Sequence, residues 1–487
     1  MQTLLNQAHH INTTKVGLVK SRQSVPYLGR VNIENLHQLS SAGLVAGEHY
    51  RVTTKRHELQ IITDPTGQYV VSPKNFKRRD GTVKIGSRVD VRLRALMTDC
   101  EFPDPTQLVV YYLADRLIVM PRPSEINNSR RLANLAQDLT DKTIRSAALY
   151  SGYGSLDAAL HEGFERHGLH SELQLANDVW APALNALFEN NPAATKKTRT
   201  LNLGIEQLCA MGTSPFKGIS LLTAGILCKG ASKLNVATRD LPETHPIAGH
   251  QVLNFVMLLQ AMQWDVPLIL VENVTDWSNT ISYSMLKRVF EEQGYQVALI
   301  GENHEGKYKG INARDYGEME RRSRMAMLAY PKGISLDLAY FDSLRTGAGT
   351  KTVADIRLPE AEVDPGEYAK GAHLDSAHKR AKGWRNRIVS NDDTSTPSLS
   401  ADCWKQRIED PKFPHPTQAG QSRLPLPEEH AALKGQPVDL INALAFNSHA
   451  HTALGNGVAR KPWVALAEML SRSLLAWHTA QTAFTPH

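Results

Sequence analysis

Short strand-like runs dominate the first quarter of the chain. Apolar or alternating segments such as LQIIT, VDVRL and LVVYYL are separated by turn-forming residues, for example DPTG at residues 64–67. Apolar residues at every second position are typical of strands with one buried face. Helical periodicity is not evident before Ser124. This pattern predicts an all-β module over residues 1–122.

A helical connector then leads into a region of alternating strands and helices. SEINNSRRLANLAQDLTD has apolar residues at helical spacing and Ser124 as a candidate N-cap, which predicts a helical connector over residues 123–143. From Ile144, apolar strands such as SAALY, ISLLTAG and VPLILVEN alternate with helices. Strands that alternate with helices are typical of a parallel sheet covered on both faces. The pattern therefore predicts a doubly wound α/β domain over residues 144–332.

The alternation stops near Gly333. Residues 333–422 are rich in polar residues, glycine and proline, whereas residues 423–487 become helical and include the amphipathic run PWVALAEMLSRSLLAWHTA. These changes predict a smaller, loop-rich domain followed by a helical C-terminal segment.

Composition excludes several classes of protein. Of 487 residues, 41% are hydrophobic and 21% are charged, which argues against disorder. Apolar runs fall short of the ~18 residues that a membrane span needs, and the N-terminus does not resemble a secretory signal. The cysteines at 100, 209, 228 and 403 are far apart and form no C-x-x-C pair. This spacing excludes a disulfide scaffold, gives no support to a zinc site and fits a reducing cytosol, so we expect a cytoplasmic protein without a metal.

Positive charge is concentrated in the N-terminal module. The whole chain has a net charge of +6, yet eleven Lys and Arg against four acids lie between Arg51 and Arg94, a local surplus of 11 − 4 = +7. A second basic cluster at residues 379–387 surrounds Trp384. Such clusters are either solvated faces or surfaces that contact phosphate groups, and charge alone leaves both interpretations open.

A glycine turn after the first strand of the α/β region is the first candidate site. YSGYGS at residues 150–155 follows a strand and precedes a helix. Glycines there let the backbone approach a ligand at the helix N-terminus, although tight packing also explains such a turn. Asp178, at the end of the next strand, is placed to accept hydrogen bonds from a ribose. The pair suggests a ligand that contains adenosine.

Three further segments bring reactive side chains to strand ends. TAGIL delivers Cys228, which taken alone is more often an inert core residue than a nucleophile. In LILVENV, the apolar strand ends at Glu272. This acid is either a helix-capping group or a functional acid at the active edge of the sheet. NARDYGEMERRSR places Arg322 and Arg324 immediately before another strand.

Together these segments have the order and spacing of the C5-cytosine DNA methyltransferase family. RLPLPEEHAALKGQP at residues 423–437 resembles the family's ninth motif, and ALGNGV at residues 453–458 resembles its tenth, which completes the methyl-donor site. The resemblance extends from about Ile144 to Leu475. HPIAGH and FPHPTQ look closest to methyltransferases of phages and mobile elements, which tend to carry an N-terminal β module.

The resemblance implies an enzyme that transfers a methyl group from S-adenosylmethionine to C5 of a cytosine flipped out of double-stranded DNA. It assigns covalent attack on C6 to the Cys228 thiolate, and a proton or hydrogen bond at N3 and the exocyclic amine to Glu272. The resemblance also implies that Arg322 and Arg324 orient the base. The donor-contacting positions are Tyr150, Gly152, Gly154, Ser155, Asp178, Val179, Asn202, Leu253 and Asn456.

The resemblance also implies a Rossmann-like catalytic domain. Residues 333–422 would then recognise the target sequence, and residues 423–487 would complete the catalytic domain. The β module over residues 1–122 would either add sequence-independent affinity for DNA or mediate homodimerisation or binding of a protein partner.

The chain departs from the family pattern at four positions. Leu227 stands where proline usually precedes the nucleophile, and Glu320 replaces a glutamine before the arginines. Asn202 replaces the acid that follows the third strand, and Ser155 replaces a glycine. Two alternatives to a DNA methyltransferase therefore stay open: an RNA cytosine-5 methyltransferase, and a DNA-binding regulator with an inactive methyltransferase body.

Overall fold

The structure is a computed structural model in which two compact units are distinguished, Met1–Ser129 and Arg130–His487. It describes residues 2–20, 27–93, 96, 100, 102, 107–211, 216–227, 231, 242–304, 307–370, 381, 386–408 and 410–483. Within these residues, no helix combines the length and the apolar character that a bilayer span requires.

A curled antiparallel sheet forms the first unit. Its described strands are β1 (His10–Lys20), β2 (Tyr27–Asn35), β3 (His49–Lys55), β4 (Glu58–Thr63), β5 (Tyr69–Val70), β6 (Ser72–Lys77), β7 (Val83–Leu93), β8 (Gln107–Tyr112) and β9 (Arg116–Pro121). They pair in the order β5-β3-β4-β9-β8-β1-β2-β7-β6. A single residue, Val71, separates β5 from β6, so the two edges of the sheet meet there. Val71 packs with Val31, Leu59 and Val110 in the core of this unit.

Three local features of this region differ from the sequence-based expectation. β1 lies in HINTTKVGLVK, whose mixed pattern lacks strict alternation, and the short helices α1 (Gln2–Gln7) and α2 (Gln38–Ser41) were not predicted. The connector helix α3 (Pro123–Thr140) begins at its proline, which is pre-organised for a first helical position. Ser124 therefore lies inside the first turn and is not the N-cap.

A mostly parallel sheet forms the centre of the second unit. Its described strands are β10 (Thr143–Leu149), β11 (His170–Asn177), β12 (Ala194–Leu201), β13 (Leu221–Gly225), β14 (Leu268–Asn273), β15 (Tyr295–Ile300), β16 (Glu302–His304), β17 (Lys307–Asn312) and β19 (Ser323–Pro331). β12-β11-β10-β13-β14 are parallel, and β19 runs antiparallel between β14 and β15. The arrangement confirms the predicted α/β fold with a mostly parallel sheet.

Helices cover both faces of this sheet. The described helices are α4 (Ser155–Glu165), α5 (Ala181–Asn190), α6 (Ile205–Met211), α7 (Gln251–Ala261), α8 (Ile281–Glu292), α9 (Leu338–Ser343), α10 (Gly366–Lys370), α11 (Pro427–Leu433), α12 (Asn447–Asn456) and α13 (Arg460–Ala483). α3, α4 and α13 share one apolar core with the strands, whereas α6, α7 and α8 share the other. Neither layer of helices covers the carboxyl ends of the parallel strands.

The segment from residue 333 to residue 422 consists of short elements. β20 (Thr396–Pro397) pairs with β18 (Glu320–Arg321), and β21 (Phe413–Pro414) pairs with β22 (Ser422–Arg423). A small core that includes Val353, Leu399 and Phe413 lies beneath these strands. The predicted basic cluster around Trp384 falls outside the described residues except for Arg387.

Candidate active site

An open cavity of about 1780 Å³ lies at the carboxyl edge of the parallel sheet. β10, β11, β13 and β14 end at this edge, because the carboxyl ends of parallel strands meet on one side of a sheet. Residues from segments 397–402 and 452–458 also line the cavity. The predicted site residues that line it are Tyr150, Gly152, Ser155, Asp178, Val179, Glu272, Arg322, Arg324 and Asn456.

Three described residues among those predicted, Gly154, Asn202 and Leu253, do not line this cavity. Cys228 lies outside the described residues, and the chain before it is described as far as Leu227, which does line the cavity. Gly154 and Asn202 support neighbouring backbone. Leu253 is 61% exposed on α7, because Phe255 and its apolar neighbours occupy the buried face of that helix.

The two glycines of the turn have different roles. Gly154 has a φ of +78°, and a side chain there would overlap Asn191, whose amide donates a hydrogen bond to the Gly154 carbonyl over 2.8 Å. Gly152 has a φ of +54°, and a Cβ atom there would meet no described heavy atom within 4 Å. Gly154 is therefore required for packing, whereas Gly152 leaves the backbone open toward the cavity.

Asp178 ties the glycine turn to the end of β11. Its carboxylate accepts hydrogen bonds from the Gly152 N–H over 2.8 Å and from the Trp180 N–H over 2.9 Å. Asn202 donates to the Asp178 carbonyl over 2.9 Å, so it holds Asp178 in place. A carboxylate accepts about four hydrogen bonds in all. Asp178 therefore keeps acceptor capacity for a ligand in the cavity.

Two other predicted donor-site residues connect distant parts of the chain. The Tyr150 hydroxyl donates to Gln251 Oε1 over 2.8 Å, and burial raises the pKa of Tyr150. Ser155 Oγ, in the first turn of α4, accepts a hydrogen bond from the Val458 N–H over 3.1 Å. The serine that replaces the family glycine thus fastens the glycine turn to the C-terminal segment, next to Asn456.

Glu272 forms the acidic part of the cavity. Its Oε1 atom lies 2.9 Å from Arg324 Nε, and its Oε2 atom faces Gly225, whose missing side chain leaves room there. Burial raises the pKa of Glu272, although Arg324 and Arg322 oppose the shift. One carboxylate oxygen is thus paired with Arg324. The other lies next to the end of β13, the strand that leads to Cys228.

Arg322 belongs to a buried charge network that the sequence did not reveal. Its Nη2 atom donates to the Gly455 carbonyl over 2.7 Å, and its Nη1 atom lies 3.6 Å from Glu320 Oε1. Lys434 Nζ lies 2.9 Å from Glu320 Oε2, with both side chains almost fully buried. Burial and Arg322 lower the pKa of Lys434 to about 7 even though Glu320 opposes the shift. Burial alone would raise the pKa of Glu320, but Lys434 and Arg322 hold it below its ordinary value.

Removing Lys434 should destabilise the protein strongly. Lys434→Met leaves Glu320 buried without its closest cation, and breaking a buried pair in this way costs about 3–5 kcal/mol. The measurement is the urea midpoint at an unchanged denaturant slope. As a matched control, Lys287→Met removes the exposed pair with Glu291 and should cost about 0.5 kcal/mol or less. Equal costs for the two variants would contradict the inferred role of the buried pair.

Two further buried groups support the strand ends. Asn273 donates to the Ile226 carbonyl over 3.1 Å and so fixes the backbone two residues before Cys228. Asp157 accepts a hydrogen bond from Thr223 over 2.9 Å, and burial raises its pKa to about 6. Asn273 directly follows the strand-end acid Glu272, so its position was visible in the sequence. Asp157 could not be singled out, because it looks like an ordinary acid in the first turn of a helix.

Comparison with known proteins shows the fold. No protein-family model matches the chain. The S. pombe Dnmt2 methyltransferase is similar in structure, with a TM-score of 0.52 and 16% sequence identity over 69% of this chain and 99% of that protein. The Entamoeba histolytica methyltransferase EhMeth gives a TM-score of 0.49 at 14% identity over 69% of this chain and 98% of its own. The similarity to the S. pombe protein shows a Rossmann-like fold of the kind found in methyltransferases.

Proposed function

We propose that this chain is a DNA (cytosine-5)-methyltransferase that uses S-adenosylmethionine. The observation that carries the proposal is that one cavity contains residues suited to a methyl donor and residues suited to a cytosine. The open turn at Gly152 with Asp178 suits an adenosine-containing donor, and Glu272 with Arg324 suits a cytosine ring. The structural similarity to Dnmt2 supports a methyltransferase, and the family-type motifs support cytosine as the acceptor.

The residues at the turn fit the methyl donor. Gly152 presents backbone without a side chain, Asp178 offers carboxylate oxygens for ribose hydroxyls, and Val179 is an apolar residue that is 74% exposed on the cavity wall. Asn456 approaches from the C-terminal segment. The bound donor would supply an electrophilic methyl group attached to a sulfonium.

The remaining residues would activate the cytosine. Its C5 atom is a poor nucleophile until a group adds to C6, and the Cys228 thiolate is the proposed adding group. Glu272 would supply a proton or hydrogen bond at N3, which offsets the charge that develops on the ring. Arg322 would act on the base through the cavity wall, because it lines the cavity and its guanidinium holds the Gly455 carbonyl. After methyl transfer, the C5 proton would pass to water and the cysteine would leave C6 as a thiolate, which restores the ring.

The test is a covalent trap with 5-fluorocytosine, because fluorine at C5 blocks the last step. Duplex DNA that contains this base should form a denaturation-resistant adduct in the presence of S-adenosylmethionine, and bisulfite sequencing should locate methylated cytosines in ordinary DNA. Adduct formation with RNA in place of DNA would instead support the RNA enzyme. DNA binding without adduct or methylation would support the inactive regulator.

Asp178 provides a test of the donor site alone. Asp178→Ala removes an acceptor for the ribose and loosens the glycine turn, so we expect affinity for S-adenosylmethionine to fall by about tenfold or more, equivalent to one charged hydrogen bond. DNA affinity measured without donor should change little. Asp276→Ala is the matched control, since Asp276 lines the same cavity after Glu272. Unchanged donor affinity by calorimetry in Asp178→Ala would refute this assignment.

We propose that the first unit adds sequence-independent affinity for DNA. Several of its cations are already paired, for example Arg51 with Asp64 and Lys74 with Glu34. The hairpin between β6 and β7 differs, because its tip carries exposed cations without a described ion pair. These cations are Lys77, Arg78, Arg79 and Lys84.

Neutralising this hairpin should weaken the salt dependence of binding. Replacing its four cations by glutamine should lower DNA affinity and reduce the slope of log affinity against log salt by up to roughly 3.6, at about 0.9 per lost phosphate contact. The modified sites should stay the same, whereas exchanging residues 333–422 with those of a relative should change them. Exposed Val83 and Ile85 flank these cations, so conversion of a dimer to a monomer with an unchanged slope would favour the dimerisation alternative.

A further inference from the structure

Three buried metal-ligating side chains meet between the loop-rich segment and the C-terminal helices. Cys403 lies in a short helical turn (Cys403–Lys405), His430 lies on α11 and His451 lies on α12. All three are buried, and one ligand atom of each lies within 4.8 Å of the other two. None of them lines the active-site cavity among the described residues. The cluster therefore lies outside the cavity, behind the network of Arg322 and Lys434. Burial lowers the pKa of His430, and the positive charges of Lys434 and Arg322 help to lower it.

Hydrogen bonding of His430 is incomplete. The rings of His430 and His451 stack with centroids 5.4 Å apart, and their Nδ1 atoms are 3.1 Å apart. His430 Nε2 has no hydrogen-bond partner among the described residues, although the side chain is fully buried. Buried polar atoms are normally paired, so an unpaired ring nitrogen on a histidine that clusters with a thiol and a second imidazole points to a ligand.

We propose that Cys403, His430 and His451 form a zinc site with three protein ligands. Thiolate sulfur and imidazole nitrogen are the protein ligands that Zn²⁺ prefers, and a water molecule would complete its tetrahedron. Ligand atoms at about 2.0–2.3 Å from a tetrahedral zinc lie roughly 3.3–3.8 Å from one another. The described cluster reaches that spacing with small side-chain adjustments. The three ligands come from separate segments, which explains why the cysteine spacing does not reveal the site.

A zinc ion at this position would fasten one wall of the active-site cavity. α12 already touches the segment that carries Cys403: Thr452 donates to the Ala401 carbonyl over 3.1 Å, and a side chain on Gly455 would overlap the backbone of Ala401. Ala401 lines the cavity, and the Gly455 carbonyl receives the hydrogen bond from Arg322. Zinc binding would stabilise the same junction, which connects the loop-rich segment to α12.

The first experiment is metal analysis of the full-length protein purified from zinc-supplemented medium. We expect about one zinc per chain by mass spectrometry. A chelator should lower the melting temperature, and added zinc should restore it. Titration of the metal-stripped wild-type protein with Co²⁺ should give the visible bands of a tetrahedral site and the sulfur-to-cobalt charge-transfer band. A Co²⁺ spectrum without that band would overturn the proposal without requiring any variant.

Variants then identify the ligands. Cys403→Ser should reduce zinc from one per chain to nearly none and remove the charge-transfer band. Cys228→Ser and Cys209→Ser are the matched controls and should keep both. Should Cys403→Ser fail to fold, His451→Gln provides a second ligand deletion with the same expected loss. Full zinc content in Cys403→Ser, or loss of the band in Cys228→Ser, would assign the metal to another place.

Discussion

Cys228→Ser should abolish methyl transfer while leaving binding of DNA and S-adenosylmethionine largely intact. A serine hydroxyl stays protonated at neutral pH and is a far weaker nucleophile than a thiolate, so addition to C6 fails. The described surroundings suit this role, because Asn273 fixes the Ile226 carbonyl and Glu272 lies on the neighbouring strand β14. The measurement is single-turnover methyl transfer together with adduct formation on 5-fluorocytosine DNA.

The other cysteines provide the controls for this loss. Cys209 is half-buried and contacts the Asn254 carbonyl, and Cys100 is buried in the first unit. Cys209→Ser and Cys100→Ser should keep near wild-type turnover. Methylation at a near wild-type rate by Cys228→Ser would show that the nucleophile has been misassigned.

Much of the sheet and its edge could be predicted from the sequence. Buried parallel strands are continuous apolar runs, and LLTAG and LILVEN stand out for this reason. The residues that follow such strands must lie at one edge, which brought Asp178 and Glu272 to the same cavity. β12 was harder to recognise, since ATKKTRTL lies at the edge of the sheet and carries exposed polar side chains.

Contacts between distant segments could not be predicted from one sequence. The pair of Lys434 with Glu320, and the bond from Val458 to Ser155, join residues that share no local pattern. The position of Leu253 outside the cavity lining could not be predicted for a related reason. Its position in the motif was matched, but the orientation of α7 turns the side chain outward.

Three of the residues that depart from the pattern of the similar family contact other residues of this chain. Glu320 is balanced by Lys434, and Ser155 binds the Val458 N–H. Asn202 supports the carbonyl of Asp178. An unpaired buried charge would destabilise the folded state, so these contacts preserve the fold. An active enzyme and an inactive regulator need them alike, and the covalent trap distinguishes the two.

Glu272→Gln should lower turnover by about 10²-fold or more, as expected for a positioned acid–base group. Glutamine keeps the shape but has no proton to transfer to N3. Burial raises the pKa of Glu272, so the wild-type carboxyl holds its proton to a higher pH than an ordinary glutamate. An acid acts only while protonated, so wild-type turnover should fall as pH rises through this pKa. Glu272→Gln should lack that falling limb.

A second glutamate distinguishes this chemical role from a structural one. Glu206 also lines the cavity, where it accepts a hydrogen bond from Asn254 over 2.8 Å. Glu206→Gln makes the same chemical change and should leave turnover and its pH profile unaltered. Melting temperatures of both variants complete the comparison. If the loss of turnover in Glu272→Gln follows its loss of thermal stability, or if the falling limb persists, Glu272 holds Arg324 in place and does not act on the base.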